Sequence, residues 1–210
     1  MALHDWLAFT LVAMVVCLTP GPGIVMTLSN SVAYGPWRAM IGSVGNALGL
    51  LFVSTTTSAG LGALLQASST AFLVLKVLGA SYLVFLGVKQ WRSRTSAFDK
   101  VTTHAPSTAS AIKLITNGVT VAVTNPKAIL FFAAFLPQFI KESGSQSQLA
   151  ILVLTFAVCS VMAHFAYVMF AQALKKQLCM PGRARFMNRI FGLSFIGLGA
   201  SLFTLRANAG

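Results

Sequence analysis

The chain has 210 residues, of which 56% are hydrophobic and 9% charged, with a formal net charge of +12. Soluble domains carry about 25% charged residues, so this is the composition of an integral membrane protein, with no length left for a soluble catalytic domain beside about six short-looped spans. The basic excess is that of cytoplasmic loops rather than of a nucleic-acid surface, because no basic run is interleaved with aromatic residues.

The N-terminal "MALHDW" carries Asp5 and no Lys or Arg, and the apolar run behind it is too long and proline-broken for a cleaved signal. It reads as the first of six spans. These are expected from Trp6 to Leu28, Met40 to Leu65, Phe72 to Val88, Val119 to Phe139, Leu149 to Leu174 and Ile190 to Leu205, the last borrowing Phe186 to Arg189 at its start. The predicted fold is a single all-α transmembrane domain over residues 1–210.

Residues 15 to 26, "VVCLTPGPGIVM", place Pro20, Gly21, Pro22 and Gly23 in the middle of span one. Proline removes a helix hydrogen bond and glycine loosens the backbone, so a break is expected where unsatisfied backbone is most costly. Span two holds Asn46, the run "STTTS" from Ser54 to Ser58, and Gly42, Gly45 and Gly49. The glycines suit close helix packing, with Gly45 and Gly49 in GxxxG spacing. The hydroxyls suit either a path lining or bonds to the preceding helical turn. Asn30 and Asn46 either face a cavity or join helices.

After span three comes the polar, Ser/Thr-rich "RSRTSAFDKVTTHAPSTASAIK". It divides the chain into repeat one (about 1–91), a cytoplasmic linker (about 92–113) and repeat two (about 114–210). Loops one, three and five hold eleven Lys and Arg residues, whereas the other side holds Lys76, Lys141 and Arg206. The odd-numbered loops are therefore expected in the cytoplasm and both termini outside.

The two halves are alike. "KVLGASYLVFLG" from Lys76 lines up with "RIFGLSFIGLGA" from Arg189, and "LTPGPGIV" from Leu18 with "TNPKAILF" from Thr124, which aligns Pro20 with Pro126. Three spans per half force opposite orientations, hence two inverted three-helix repeats with the first and fourth spans broken. Paired breaks in inverted halves point to a midplane binding site, with unwound carbonyls and half-helix N-termini facing it. The other reading is a plain proline kink.

Pro20-Gly21-Pro22, "TNPKAILFFAAFLPQFI" from Thr124 to Ile140, and Gly79 with "YLVFLG" resemble the LysE/RhtB family of bacterial amino-acid exporters over essentially the whole chain. The resemblance implies a multi-pass inner-membrane protein that exports amino acids or their derivatives on the proton gradient. Similar chains commonly carry Asp or Asn after PGP; this one has Gly23. Substrate and coupling are therefore not carried over at that position.

The spans contain no aspartate or glutamate: Asp5 and Glu142 are placed at the outer surface and Asp99 in the linker. A cationic side chain would lack an acid partner, so neutral amino acids are the expected cargo. Lys127 lies about eight residues, roughly 12 Å, past the expected start of span four. It is expected to pair with the substrate carboxylate. Backbone carbonyls near Thr19 and Pro20 and the amide oxygen of Asn125 would then receive the ammonium. Thr19, Pro20, Gly21, Pro22, Asn46, Asn125, Pro126 and Lys127 form the expected binding set. Alternatively Lys127 snorkels, or hydrogen-bonds the broken helix. His164 and Lys127 are the candidates for proton exchange, the imidazole being able to titrate near neutral pH; a lone His is more often a helix contact.

Other classes fit less well. His4, His104 and His164 fall in distant regions without another ligand at metal or catalytic spacing, so neither an enzyme nor a cofactor or metal site is expected. Cys17, Cys159 and Cys179 form no CxxC, and Cys17 aligns with Val123, which disfavours a thiol relay. An amino-acid-permeable channel is the remaining alternative. The oligomeric state is open, a homo-oligomer included.

Overall fold

The computed structural model describes residues 1–94, 109–140, 146–169 and 181–204. Every regular element there is helical: α1 (Leu3–Leu18), α2 (Pro22–Tyr34), α3 (Pro36–Ala67), α4 (Ser69–Arg92), α5 (Ala111–Val123), α6 (Pro126–Ala134), a 3₁₀ turn (Leu136–Phe139), α7 (Gln146–Met169) and α8 (Pro181–Thr204). Most of the linker, Cys179, Lys141, Glu142 and Arg206 lie outside the described residues.

Both expected breaks form, each for a local reason. Thr19 and Gly21 are extended between α1 and α2, Pro22 opens α2, and the two helices meet at 54°. Asn125 is extended, as residues before proline tend to be, and Pro126 opens α6. Asn125 Oδ1 accepts the Lys127 backbone N–H at 3.1 Å, an N-cap. This second bend is 52°. Gly35, at φ 85°, ends α2 in a conformation that glycine adopts without strain, and α3 follows at once.

The segment Pro36–Ser58 of α3 and the whole of α7 are each long and apolar enough to cross a bilayer, as is each bent pair taken as one span. Spans three and six were expected in α4 and α8. Each helix has 24 residues, about 36 Å at 1.5 Å per residue, and carries basic residues towards one end. Helices outrun the apolar stretches used to place them. The helix leading into the fourth apolar stretch begins at Ala111 rather than Val119, so Lys127 lies further along this bent helix pair than the apolar boundary suggests. Exposed Leu7, Leu11, Phe52, Phe85, Leu154, Val158 and Phe165 give the bundle an apolar exterior, as lipid contact requires.

The core pairs α3 with α5, α1 with α7 and α4 with α8. Small residues close the first seam: Gly45 lies against the Ile115 backbone, and a Cβ on Gly49 would stand 2.6 Å from Ala122 Cβ. The Ser54, Thr55, Thr56 and Ser58 hydroxyls all donate to carbonyls three or four residues back, which is the local use rather than a path lining. A cluster of aromatic rings from α1, α6, the 3₁₀ turn and α7 fills one end of the bundle. Phe131 stacks on Phe156 at 5.0 Å between ring centroids, and Phe9 meets Phe139 edge-on at 5.3 Å.

Candidate transport site

Proline accounting explains what gathers at the first break. A helix carbonyl accepts from the N–H four residues on, so Pro20 and Pro22 leave the Val16 and Leu18 carbonyls without their helical donors. Both find side chains from the other half of the chain. Lys127 Nζ donates to Val16 O and to Thr19 O, each at 3.0 Å, and Tyr167 Oη donates to Leu18 O at 3.0 Å. Gly21 makes room for this, since a Cβ there would stand 3.2 Å from Nζ. The Phe195 ring lies 5.9 Å from the same ammonium, and a cation over an aromatic face is attracted to it.

Two spaces meet at Lys127. A cavity of about 770 Å³ runs from the breaks towards Tyr34, Lys89, Ser93 and Asn188, at the end of the bundle opposite the aromatic cluster. Thr19, Pro20, Gly21, Pro22, Asn125, Pro126 and Lys127 line it, so seven of the eight expected binding residues share one space. Gln90 Nε2 donates to Asn188 Oδ1 at 2.8 Å and Asn188 Nδ2 to Ser93 O at 3.1 Å, tying α4 to α8 at this end. The eighth, Asn46, lies with His164 on a second, much smaller chamber of about 30 Å³. Gly21, Asn125 and Lys127 line both spaces and form the wall between them. Gly23 opens onto the chamber, and Asn30 onto the large cavity.

Two of the acceptors expected for a substrate ammonium are engaged within the protein. Thr19 O accepts a hydrogen bond from Lys127 Nζ, and Asn125 Oδ1 caps α6. An ammonium has three donors, and among the described residues Lys127 uses two, both on backbone carbonyls. The site thus offers a fixed cation at the cavity floor, flanked by the N-termini of α2 and α6, whose dipoles add positive potential. Such a floor attracts an anionic group. Tyr167, Gln90 and Asn188 were not expected from sequence. Counting the carbonyls orphaned by Pro20 and Pro22 would have called for two donors, but not named them.

The family model for LysE type translocators matches residues 14–206. The chain belongs to the LysE translocator family. This LysE member is a membrane transporter and not an enzyme. It is 35% identical to an uncharacterised membrane protein of Vibrio cholerae, over 99% of this chain and 100% of that one. It is 34% identical to the homoserine/homoserine lactone efflux protein of Salmonella typhimurium, over 98% of this chain and 99% of the relative. It is 28% identical to the leucine efflux protein of Klebsiella pneumoniae, over 97% and 96%. No solved structure matches it.

Proposed function

We propose that this LysE translocator is a secondary transporter that carries small neutral amino acids out of the bacterial cytoplasm across the inner membrane. The observation that carries the reading is the Lys127 ammonium, anchored on Val16 O and Thr19 O at the floor of the large cavity. Relatives named for homoserine and leucine efflux support amino-acid cargo. In this reading the substrate carboxylate pairs with Lys127, and the side chain stays in the large cavity, whose size admits side chains of different shape.

The architecture belongs to the same reading: one domain of six spans, built as two inverted three-helix repeats about a midplane site. Nearly equal bends of 54° and 52° at Pro20–Pro22 and Pro126 support it. So does the exchange of partners, in which α3 packs on α5 of the other half and α7 on α1. The basic ends near Arg38, Lys89 and Arg92 belong in the cytoplasm. The large cavity then opens inward, the aromatic cluster closes the outer end, and both termini are outside. Lys127 and His164 are the groups through which proton exchange would run.

Counterflow in vesicles tests the transport reading. Vesicles loaded with unlabelled alanine should transiently accumulate labelled alanine above equilibrium, because a carrier couples the two fluxes. Simple equilibration would instead indicate a channel. Pro20→Ala gives Val16 O a backbone donor again, which releases Lys127 and straightens the first break. Export is expected to fall about tenfold or more, while membrane abundance changes by less than about twofold, and Pro126→Ala should behave alike. Quantitative immunoblots beside export assays check this, and normal export by both variants would leave only a structural kink.

A further inference from the structure

The chamber beyond Lys127 has a polar end whose hydrogen bonds can be counted. Asn46 and His164 are 3% and 4% exposed. Asn46 Nδ2 donates to Ser160 Oγ at 3.4 Å, while Asn46 Oδ1 is buried and has no partner among the described residues. Ser43 has one hydroxyl proton, within reach of Ala39 O at 3.2 Å, the carbonyl one helical turn back. With that proton on Ala39 O, Ser43 accepts in its contact with Thr27 at 3.1 Å, which commits the Thr27 proton. Thr27 Oγ1 in turn can only accept from His164 Nδ1, 3.2 Å away. A neutral imidazole with its proton on Nδ1 presents Nε2 as an acceptor.

Two acceptors thus face the same side of Gly23. A Cβ on Gly23 would stand 3.2 Å from Asn46 Oδ1 and 3.3 Å from His164 Nε2. With no side chain at Gly23, nothing stands between the two acceptors and the chamber that all three residues line, whose 30 Å³ is room for about two water-sized groups. Paired acceptors select a group with two or more donors. An ammonium has three, a hydroxyl only one. A bare cation here would face Lys127, but a zwitterion brings its carboxylate to that wall and neutralises the repulsion.

Resting on the carboxylate pairing described above, we propose that the chamber formed by Gly23, Asn46 and His164 binds the substrate's α-ammonium. The zwitterion straddles the wall, with its carboxylate on Lys127, its ammonium in the chamber and its side chain in the large cavity. Recognition then belongs to the α-amino acid group and not to the side chain. Gly23 is the position that keeps the ammonium subsite open.

Alanine and lactate differ at the subsite alone, since lactate carries a hydroxyl where alanine carries an ammonium. Their binding to detergent-purified protein, measured by isothermal titration, tests the assignment. Wild type should bind alanine at least about tenfold more tightly than lactate, because a hydroxyl leaves one buried acceptor unpaired. Gly23→Ala puts a methyl against both acceptors and Asn46→Leu removes one of them, and both should compress that preference towards unity. A ratio within one preparation is insensitive to folding yield. Lys127→Met should weaken both ligands together. An unchanged alanine-to-lactate preference in both chamber variants, with Lys127→Met weakened for both ligands, overturns the subsite and leaves the carboxylate pairing standing. Wild-type binding of both ligands by Lys127→Met, or no binding of either by wild type, overturns both.

Discussion

Lys127→Met is expected to abolish export while leaving the protein in the membrane at near wild-type abundance. Two opposing effects set the abundance. At the midplane depth proposed for Lys127, removing its charge relieves about 2.5–3.5 kcal/mol on insertion scales. Against this, Val16 O and Thr19 O lose their shared donor, at about 1–3 kcal/mol for each carbonyl left unsatisfied. The two are of similar size, so insertion changes little. Export has no such compensation. A hydrogen bond to a charged group contributes about 1.5–3 kcal/mol, roughly 10–150-fold in binding, and the substrate carboxylate would face a cavity floor without a cation. Lys127→Arg should also be impaired. A planar guanidinium cannot place one compact donor between two carbonyls, in a space where even a Cβ on Gly21 would come within 3.2 Å of Nζ. Export assays normalised to immunoblot levels decide it; wild-type rates from Lys127→Met would remove Lys127 from the mechanism.

What the sequence made legible is what depends on neighbours in the chain. Pro20, Pro22 and Pro126 act on carbonyls four residues back and on the conformation of the residue before them, so the two bends follow from local rules. The back-bonded hydroxyls from Ser54 to Ser58 are local in the same sense. The residues that answer the breaks are not. Lys127 and Tyr167 reach carbonyls 111 and 149 positions earlier in the chain, and no periodicity records such a pairing. Asn46 and His164 were visible as polar residues within apolar runs, but that they converge beside Gly23 is a product of α3 and α7 packing around α2. The helix that carries the fourth apolar stretch starts eight residues before it, because α5 opens with Lys113, Thr116 and Asn117 among apolar residues. A search for unbroken apolarity begins only at Val119, although Ser110 caps the helix through the Lys113 N–H at 3.2 Å. The glycines of α3 were legible as packing residues. That α5 is their partner was not.

That last seam carries the second large effect. Gly118→Ala is expected to cost both abundance and export, whereas Gly197→Ala should be silent or mildly stabilising. The chemical change is identical, and in an open helix position it favours Ala by about 1 kcal/mol. At Gly197 nothing lies within 4 Å of the added methyl, so that preference is all that remains. At Gly118 the methyl meets Gly42 O, lies 2.6 Å from Asn46 N and 2.9 Å from Gly45 C. All three are backbone atoms of α3, which cannot rotate aside as a side chain would. The two helices must separate, and overpacking of this kind typically costs about 1–3 kcal/mol, sometimes more. Function suffers through the same displacement. Asn46 rides on the backbone that is pushed, and α5 leads directly into Asn125, Pro126 and Lys127, so the chamber and its wall move relative to α1 and α7. Export per molecule should therefore fall together with the amount of protein, and a larger residue such as Val should leave little of either. Immunoblots of membrane fractions paired with export rates read both quantities. Equal abundance and export for Gly118→Ala and Gly197→Ala would show that the α3–α5 seam can yield, and that the close approach of these helices does not hold the site in place.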